Sequence, residues 1–289
     1  MTERPSPGSL ILTFYGAYGR GFPGDGTVPV AVLIRALAAV GVDAPSVRSA
    51  VSRLKRRGLL TAVRSGSRAA GYAPSEAARQ LLDDGDRRIY AGPRENPESG
   101  SGWLLAVFSV PESERQRRHI LRSRLSRLGF GNAAPGVWIA PTHLEEETRH
   151  TLRRLGLAPY VELFRGEHAG FRPTAEAAAQ WWDLDAIAAQ HRDFLAAHEP
   201  ALRAWQQRGG GPEAAYRDYL LALDDWRRLP YADPGLPAEL LPSDWPGEHA
   251  AEVFFALHGR LRSAAQEYVD GLRPTVETCT HAGDGGTSP

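Results

Sequence analysis

Residues 43–58 constrain this chain more than any other segment. Val47, Ala50, Val51 and Leu54 recur at helical spacing, and at about 100° per residue they fall on one side. Asp43 and Pro45 are start signals and Gly58 is a stop signal. Opposite the apolar stripe lie Ser49, Ser52 and Arg56, flanked by Arg48 and Arg53, with Ser46 in the first turn. Such a helix buries one face in a small core and turns hydroxyls and guanidiniums outward. That outer face suits a major groove, because arginine pairs bidentately with guanine and serine reaches bases or phosphates without bulk. The competing reading is an ordinary solvated helix face.

The neighbouring segments favour the groove. Ser9 reads as the N-cap of a helix over Leu10 to Tyr18, and a glycine-rich loop follows from Gly19 to Thr27. Val30, Leu33, Ile34, Leu37 and Val40 mark a second helix that Gly41 stops. After Gly58, the runs Leu59–Val63 and Ala69–Ala73 flank Gly66 as a hairpin, and Ser75 to Leu82 reads as a further short helix. Helix, helix, turn, helix and hairpin form the layout of a winged helix-turn-helix over residues 1–92. Its apolar positions are expected to serve its own core. Arg64 and Arg68 at the hairpin tip are placed to straddle phosphates or enter a minor groove.

A Pro/Gly/Ser stretch from Gly92 to Gly102 reads as a linker. Residues 103–172 then read as strand, helix, strand, helix, strand (Trp103–Val110, Glu112–Leu128, Gly136–Ala140, His143–Leu155, Pro159–Arg165), a small ferredoxin-like α/β domain. Residues 173–273 are helical, over Ala175–Ala179, Asp185–His198, Glu213–Leu229 and His249–Leu272, interrupted by the Pro-rich Pro230 to Pro246. Residues 274–289 read as a disordered tail. The expected fold class is therefore α+β and multidomain. Its three parts are a winged helix-turn-helix, a ferredoxin-like centre and a helical C-terminal domain.

Charge divides along the same lines. Residues 1–92 carry 13 Lys+Arg against 7 Asp+Glu, whereas residues 173–289 carry 9 against 18, so only the front is suited to a polyanion. No apolar run approaches the ~18–20 residues of a membrane span, and the short apolar start lacks a cleavage pattern. The single cysteine, Cys279, allows neither an internal disulfide nor a Cys-based metal framework. A cytoplasmic protein without membrane contact is expected.

Several stretches resemble one family. Thr13-Phe14-Tyr15-Gly16 and the helix Pro45-Ser46-Val47-Arg48-Ser49-Ala50-Val51-Ser52-Arg53-Leu54 resemble the start of PaaX-type repressors. Leu128-Gly129-Phe130-Gly131 with Ala134-Pro135-Gly136-Val137-Trp138 resembles that family's middle domain. Trp182-Asp183-Leu184-Asp185 and the Pro/Trp-punctuated run Asp233–Gly247 resemble its C-terminal domain. The resemblance spans residues 9–272 and implies a cytoplasmic, dimeric transcriptional regulator. Named members of the family repress genes of phenylacetate breakdown and are released by phenylacetyl-CoA. The resemblance thus implies operator DNA, an acyl-CoA effector and a second copy of the chain as partners.

Other tempting patterns lead elsewhere. Gly19, Gly21 and Gly24 spell G-x-G-x-x-G, but a helix precedes them and Pro23 sits inside. His191 and His198, or His143 and His150, share a helix face without completing a metal sphere, so capping or surface roles are expected and no metal. The middle domain resembles small CRISPR-associated ribonucleases, yet its first strand ends Val107-Phe108-Ser109-Val110-Pro111 with no carboxylate before Glu112. A nucleic-acid-processing protein and an acyl-CoA-handling enzyme are the alternative readings. No catalytic residue and no cofactor are expected. Candidate effector residues are Arg122 in the basic middle helix, Trp138, and Trp226, Arg227 and Tyr231, where cations adjoin aromatic walls.

Overall fold

The computed structural model describes residues 5–64, 71–91 and 102–273. It is a mixed α+β fold with two antiparallel sheets and a helical C-terminal region. The linker over 92–101, the hairpin tip with Arg68, and the tail 274–289 lie outside the described residues. No helix among the described residues is long and apolar enough to cross a membrane.

The chain opens with α1 (Pro7–Ala17), where Ser6 is the N-cap and accepts from the Ser9 N–H. This corrects the expectation that Ser9 is the cap: Pro7, whose fixed φ and missing N–H suit the first helical position, moves the start one turn earlier. The Ser9 hydroxyl is thereby left for another partner. A one-turn segment α2 (Pro23–Gly26), with Gly24 and Asp25 at positive φ, leads to β1 (Val28–Pro29) and α3 (Val30–Ala38). Next come α4 (Ala44–Arg56), β2 (Leu60–Val63), β3 (Gly71–Pro74) and α5 (Glu76–Ile89). The sheet order is β1-β3-β2, so the expected hairpin gains a third strand. At two residues, β1 is too short to leave a period-two signal. Helix α5 runs a full turn or more past Leu82 because the polar Asp83–Asp86 stretch is held, Arg20 pairing with Asp86 at 2.5 Å.

The middle module contains β4 (Trp103–Phe108), α6 (Arg115–Arg127), β5 (Gly131–Ala134), β6 (Val137–Pro141), α7 (Glu145–Arg154) and β7 (Val161–Gly166). Its sheet order is β5-β6-β4-β7, antiparallel throughout. The sequence reading lacked β5, whose Gly-Asn-Ala-Ala has no strand former. Pairing of Gly131 with Ile139 and of Asn132 with Trp138 makes it a strand. Alternate residues face opposite ways. Leu104 and Ala106 join Leu121, Leu125 and Leu152 under the two helices, while Trp103 and Ile139 meet Trp182 and Leu236 on the other face.

The helical region comprises α8 (Thr174–Trp181), α9 (Leu184–Arg208), α10 (Pro212–Trp226), α11 (Leu229–Ala232) and α12 (Gly247–Gly271). The helix expected over Asp185–His198 runs on to Arg208, through Pro200, because Leu202 and Trp205 bury beyond the proline and outweigh one lost hydrogen bond. His191 and His198 are buried rather than at the surface, bonded to Asp233 and Asp225, each at 2.9 Å.

The head does not have a core of its own. Leu10, Phe14 and Tyr18 of α1 belong to one continuous apolar cluster with Tyr216, Leu220, Trp226 and Phe254. The Tyr18 and Tyr216 rings lie 5.7 Å apart, and the Trp226 indole N–H donates to the Ile89 carbonyl at 3.0 Å. The apolar face of α1 is wide enough to serve two neighbours, α4 and α10. A count of apolar positions within residues 1–92 does not reveal this.

Candidate nucleic-acid interface and ligand cavity

Helix α4 is fixed at both ends. The Asp43 carboxylate accepts the Ser46 N–H at 2.7 Å, which holds its pKa below the usual carboxylate range, and Gly58 ends the helix at φ 70°. Val47, Ala50, Val51 and Leu54 are buried, as the spacing requires. Arg48, Ser49, Ser52, Arg53 and Arg56 are exposed on the other side, and Ser46 is half-buried in the first turn. Lys55 and Arg57 are exposed too. None of these five cations pairs with a carboxylate among the described residues. The reason lies in the sequence: no Asp or Glu occurs between Asp43 and Glu76. That acid-free stretch is a signal the helical-wheel reading passed over. It leaves the field of this face unneutralised, which is the electrostatic requirement for a polyanion.

Arg64 is exposed at the end of β2. If the wing touches DNA phosphates, Arg64→Ala should weaken specific and non-specific DNA alike. It should also flatten the plot of log K against log salt by about 0.9 per lost contact. Titrations at several salt concentrations check this, and an unchanged slope removes Arg64 from the interface.

A cavity of about 370 Å³ opens where the three modules meet. Arg124 and Arg127 of α6 and Arg154 of α7 line it from the middle module, and Arg227, Arg228 and Tyr231 from the helical region. Leu12, Leu82 and Ile89 of α1 and α5 supply apolar wall. Burial and the like charges of Arg127 and Arg154 push the Arg124 guanidinium below its ordinary pKa. Neither Arg124 nor Arg127 has a carboxylate partner among the described residues, whereas Arg154 lies 3.5 Å from Asp84. Asp84, Asp86 and Glu147 line the same cavity, so the cations that meet no carboxylate among the described residues are Arg124 and Arg127; beside apolar wall, these two suit an anion with an apolar end. Buried Arg88 braces the joint. It donates to the Leu128 carbonyl at 2.8 Å, approaches Glu147 at 3.4 Å and lies 4.7 Å over the Tyr231 ring.

The structure separates the five candidate effector residues. Arg227 and Tyr231 line the junction cavity. Trp226 lines a neighbouring cavity of about 650 Å³ with His191, Trp245 and Phe255. Arg122 is exposed on α6 and lines neither, and Trp138 is buried beneath the middle sheet. Arg124 and Arg127 belong to the basic middle helix that the sequence offered for the phosphates of a coenzyme, and Arg154 was missed. Arg124 lies about half a turn of α6 beyond Arg122 and Arg127 about one and a half turns beyond it, and both reach the cavity that Arg227 lines.

The carboxylates nearest the end of β4 are engaged. Glu114 pairs with Arg117 at 2.6 Å and accepts the Tyr160 hydroxyl at 2.6 Å, and Glu112 lies 3.8 Å from Arg118. Among the described residues, no group of three or more His, Cys, Asp or Glu is arranged to hold a metal ion.

Comparison with known proteins gives a consistent picture. The solved structure of the uncharacterized protein Rv0674 from Mycobacterium tuberculosis shares the fold with a TM-score of 0.54, at 20% identity, covering 92% of this chain and 98% of that one. The transcriptional repressor PaaX of Escherichia coli (strain K12) is 27% identical over 271 residues, 90% of this chain and 82% of that protein. Sequence models of one family match all three modules in order. The PaaX-like protein model matches residues 6–78, the PaaX central Cas2-like domain residues 96–178, and the PaaX-like C-terminal domain residues 182–271. Matched module by module from α1 to α12, the chain belongs to the PaaX family of transcriptional repressors.

Proposed function

We propose that this protein is a DNA-binding repressor that works without catalysis. In this reading it holds operator DNA as a homodimer in the cytoplasm and releases it when an acyl-CoA of the phenylacetyl-CoA class binds. The observation that carries the reading is α4 and its C-cap, with two serines and five cations that meet no carboxylate among the described residues, exposed opposite a fully buried stripe. Residues 1–92 act as a winged helix-turn-helix with α4 in the major groove. Residues 103–172 act as a ferredoxin-like module that supports the dimer. Residues 173–273 form the effector domain. Two copies are required because one reading helix contacts only a few base pairs, and ~10³–10⁷-fold discrimination needs two half-sites.

The junction cavity is the effector site in this proposal. Arg124, Arg127 and Arg154 take the phosphates of the coenzyme, and the apolar wall takes the acyl end. Release then follows from linkage, because a ligand that favours the DNA-incompetent state weakens DNA binding, and DNA weakens ligand binding by the same factor. Calorimetry of the full chain with phenylacetyl-CoA, with and without the protein's own upstream DNA, tests this. Equal factors in the two directions are expected. No heat with phenylacetyl-CoA, free CoA or related acyl-CoAs, together with an operator complex indifferent to all of them, removes the effector and leaves DNA reading intact.

A further inference from the structure

Asp224 of α10 carries a carboxylate and is fully buried. Two hydroxyls of α1 hold it from the head. Ser9 Oγ lies 2.8 Å and 3.0 Å from its two oxygens, and Thr13 Oγ1 lies 2.6 Å away. Two guanidiniums hold it from its own helix end, Arg227 at 3.2 Å and Arg228 at 2.9 Å. Arg227 also donates to Ser9 Oγ at 2.7 Å. Burying a carboxylate is costly unless it is paired and hydrogen-bonded, so this cluster is stable only while both halves are in place.

The two guanidiniums are not buried with it. The Arg227 side chain is 26% exposed and Arg228 53%, and both line the junction cavity. Arg227 also lines a groove of about 450 Å³ on the reader side, with Ser9 of α1 and Arg53 and Arg57 of α4. One side chain therefore touches the cavity, the buried carboxylate and the groove beside the DNA-reading helix. Helix α1, which the carboxylate holds, packs directly on α4.

We infer that Ser9, Thr13 and Asp224 are positioning residues that latch the DNA-reading head to the helical region, with Arg227 and Arg228 as its release arms. A phosphate-bearing ligand in the junction cavity competes with Asp224 for the two guanidiniums. Asp224, left buried with fewer partners, loses its hold on Ser9 and Thr13, and the head leaves the orientation that lets two copies engage two half-sites. The inference rests on the reading that an anion occupies the junction cavity.

The test uses the full chain and two variants, Asp224→Asn and the double variant Ser9→Ala with Thr13→Val. Inorganic pyrophosphate is the probe, compared with chloride at equal ionic strength. In the wild type, pyrophosphate is expected to lower operator affinity by about fivefold or more beyond the chloride control, the lower range of site-to-site coupling. In both variants that response is lost. Their operator affinity without ligand falls by about tenfold, while affinity for non-specific DNA stays unchanged, because each head still reads but the pair is misplaced. A merely structural defect would lower both affinities together. If Asp224→Asn does not fold, the hydroxyl variant decides.

Variants that respond to pyrophosphate as the wild type does, or a wild type indifferent to it, would overturn the latch. Phenylacetyl-CoA releasing the wild type and both variants equally would overturn it too, while leaving the effector reading standing. Pyrophosphate acting through the latch while phenylacetyl-CoA is inert would support the latch and remove that effector.

Discussion

Replacing Arg53 and Arg56 together by alanine is expected to lower operator affinity by about 30-fold or more, since each lost bidentate base contact costs ~1–3 kcal/mol. Both side chains are exposed on α4 and carry no ion pair among the described residues, so no partner there is left unpaired by their removal. Stability should therefore change by no more than ~0.5 kcal/mol, the usual scale for surface substitutions. The loss should concentrate on one or two base positions in each half-site, seen as relaxed discrimination against mismatched operators. Anisotropy titrations on matched and mismatched duplexes measure this directly. Wild-type affinity in the double variant would mean that α4 does not read the bases.

Phe254→Ala is expected to have the largest effect on stability. Phe254 is fully buried and stacks on Trp226 at 4.7 Å and 12°, and Trp226 in turn bonds the end of α5. Truncating a buried phenylalanine costs ~3–5 kcal/mol, a large share of the ~5–15 kcal/mol that holds a domain folded. Because α1 shares this core, the head should lose stability with the helical region rather than after it. Denaturant unfolding followed by far-UV circular dichroism, alongside hydrogen exchange in α1 and α12, reads this. Weakened protection in α12 with unchanged protection in α1 would show that the head is stabilised separately.

The same shared core explains where sequence reading succeeded and where it stopped. Helix α4 was legible because its stripe, its Asp43 cap and its Gly58 stop are all local. Helices α9 and α12 were legible as periodic runs, but the end of α9 was not. Pro200 is a local stop signal, and the burial of Leu202 and Trp205 that overrides it is tertiary. Strands β1 and β5 have no period of their own and exist because β3 and β6 pair with them.

The candidate site divides in the same way. The outer face of α4 follows from one helix and could be drawn on a wheel. The junction cavity takes side chains from α1, α5, α6, α7, α10 and α11, and no spacing within one segment brings Arg124 to Arg227. Of the aromatic candidates, Trp226 reached a cavity wall, whereas Trp138 was taken by the middle core. A tryptophan satisfies either environment, so its identity alone carries little information about which it occupies.

In the function proposed here, the protein reads DNA sequence through α4 and an anionic ligand ends the reading. The most direct measurement is the affinity of the full chain for its own upstream DNA and for scrambled DNA at one fixed salt concentration, each with and without phenylacetyl-CoA. A preference for the upstream DNA of at least about 10³-fold is expected, which phenylacetyl-CoA lowers while leaving scrambled DNA nearly unaffected. Equal affinity for the two DNAs, unchanged by the ligand, would contradict it.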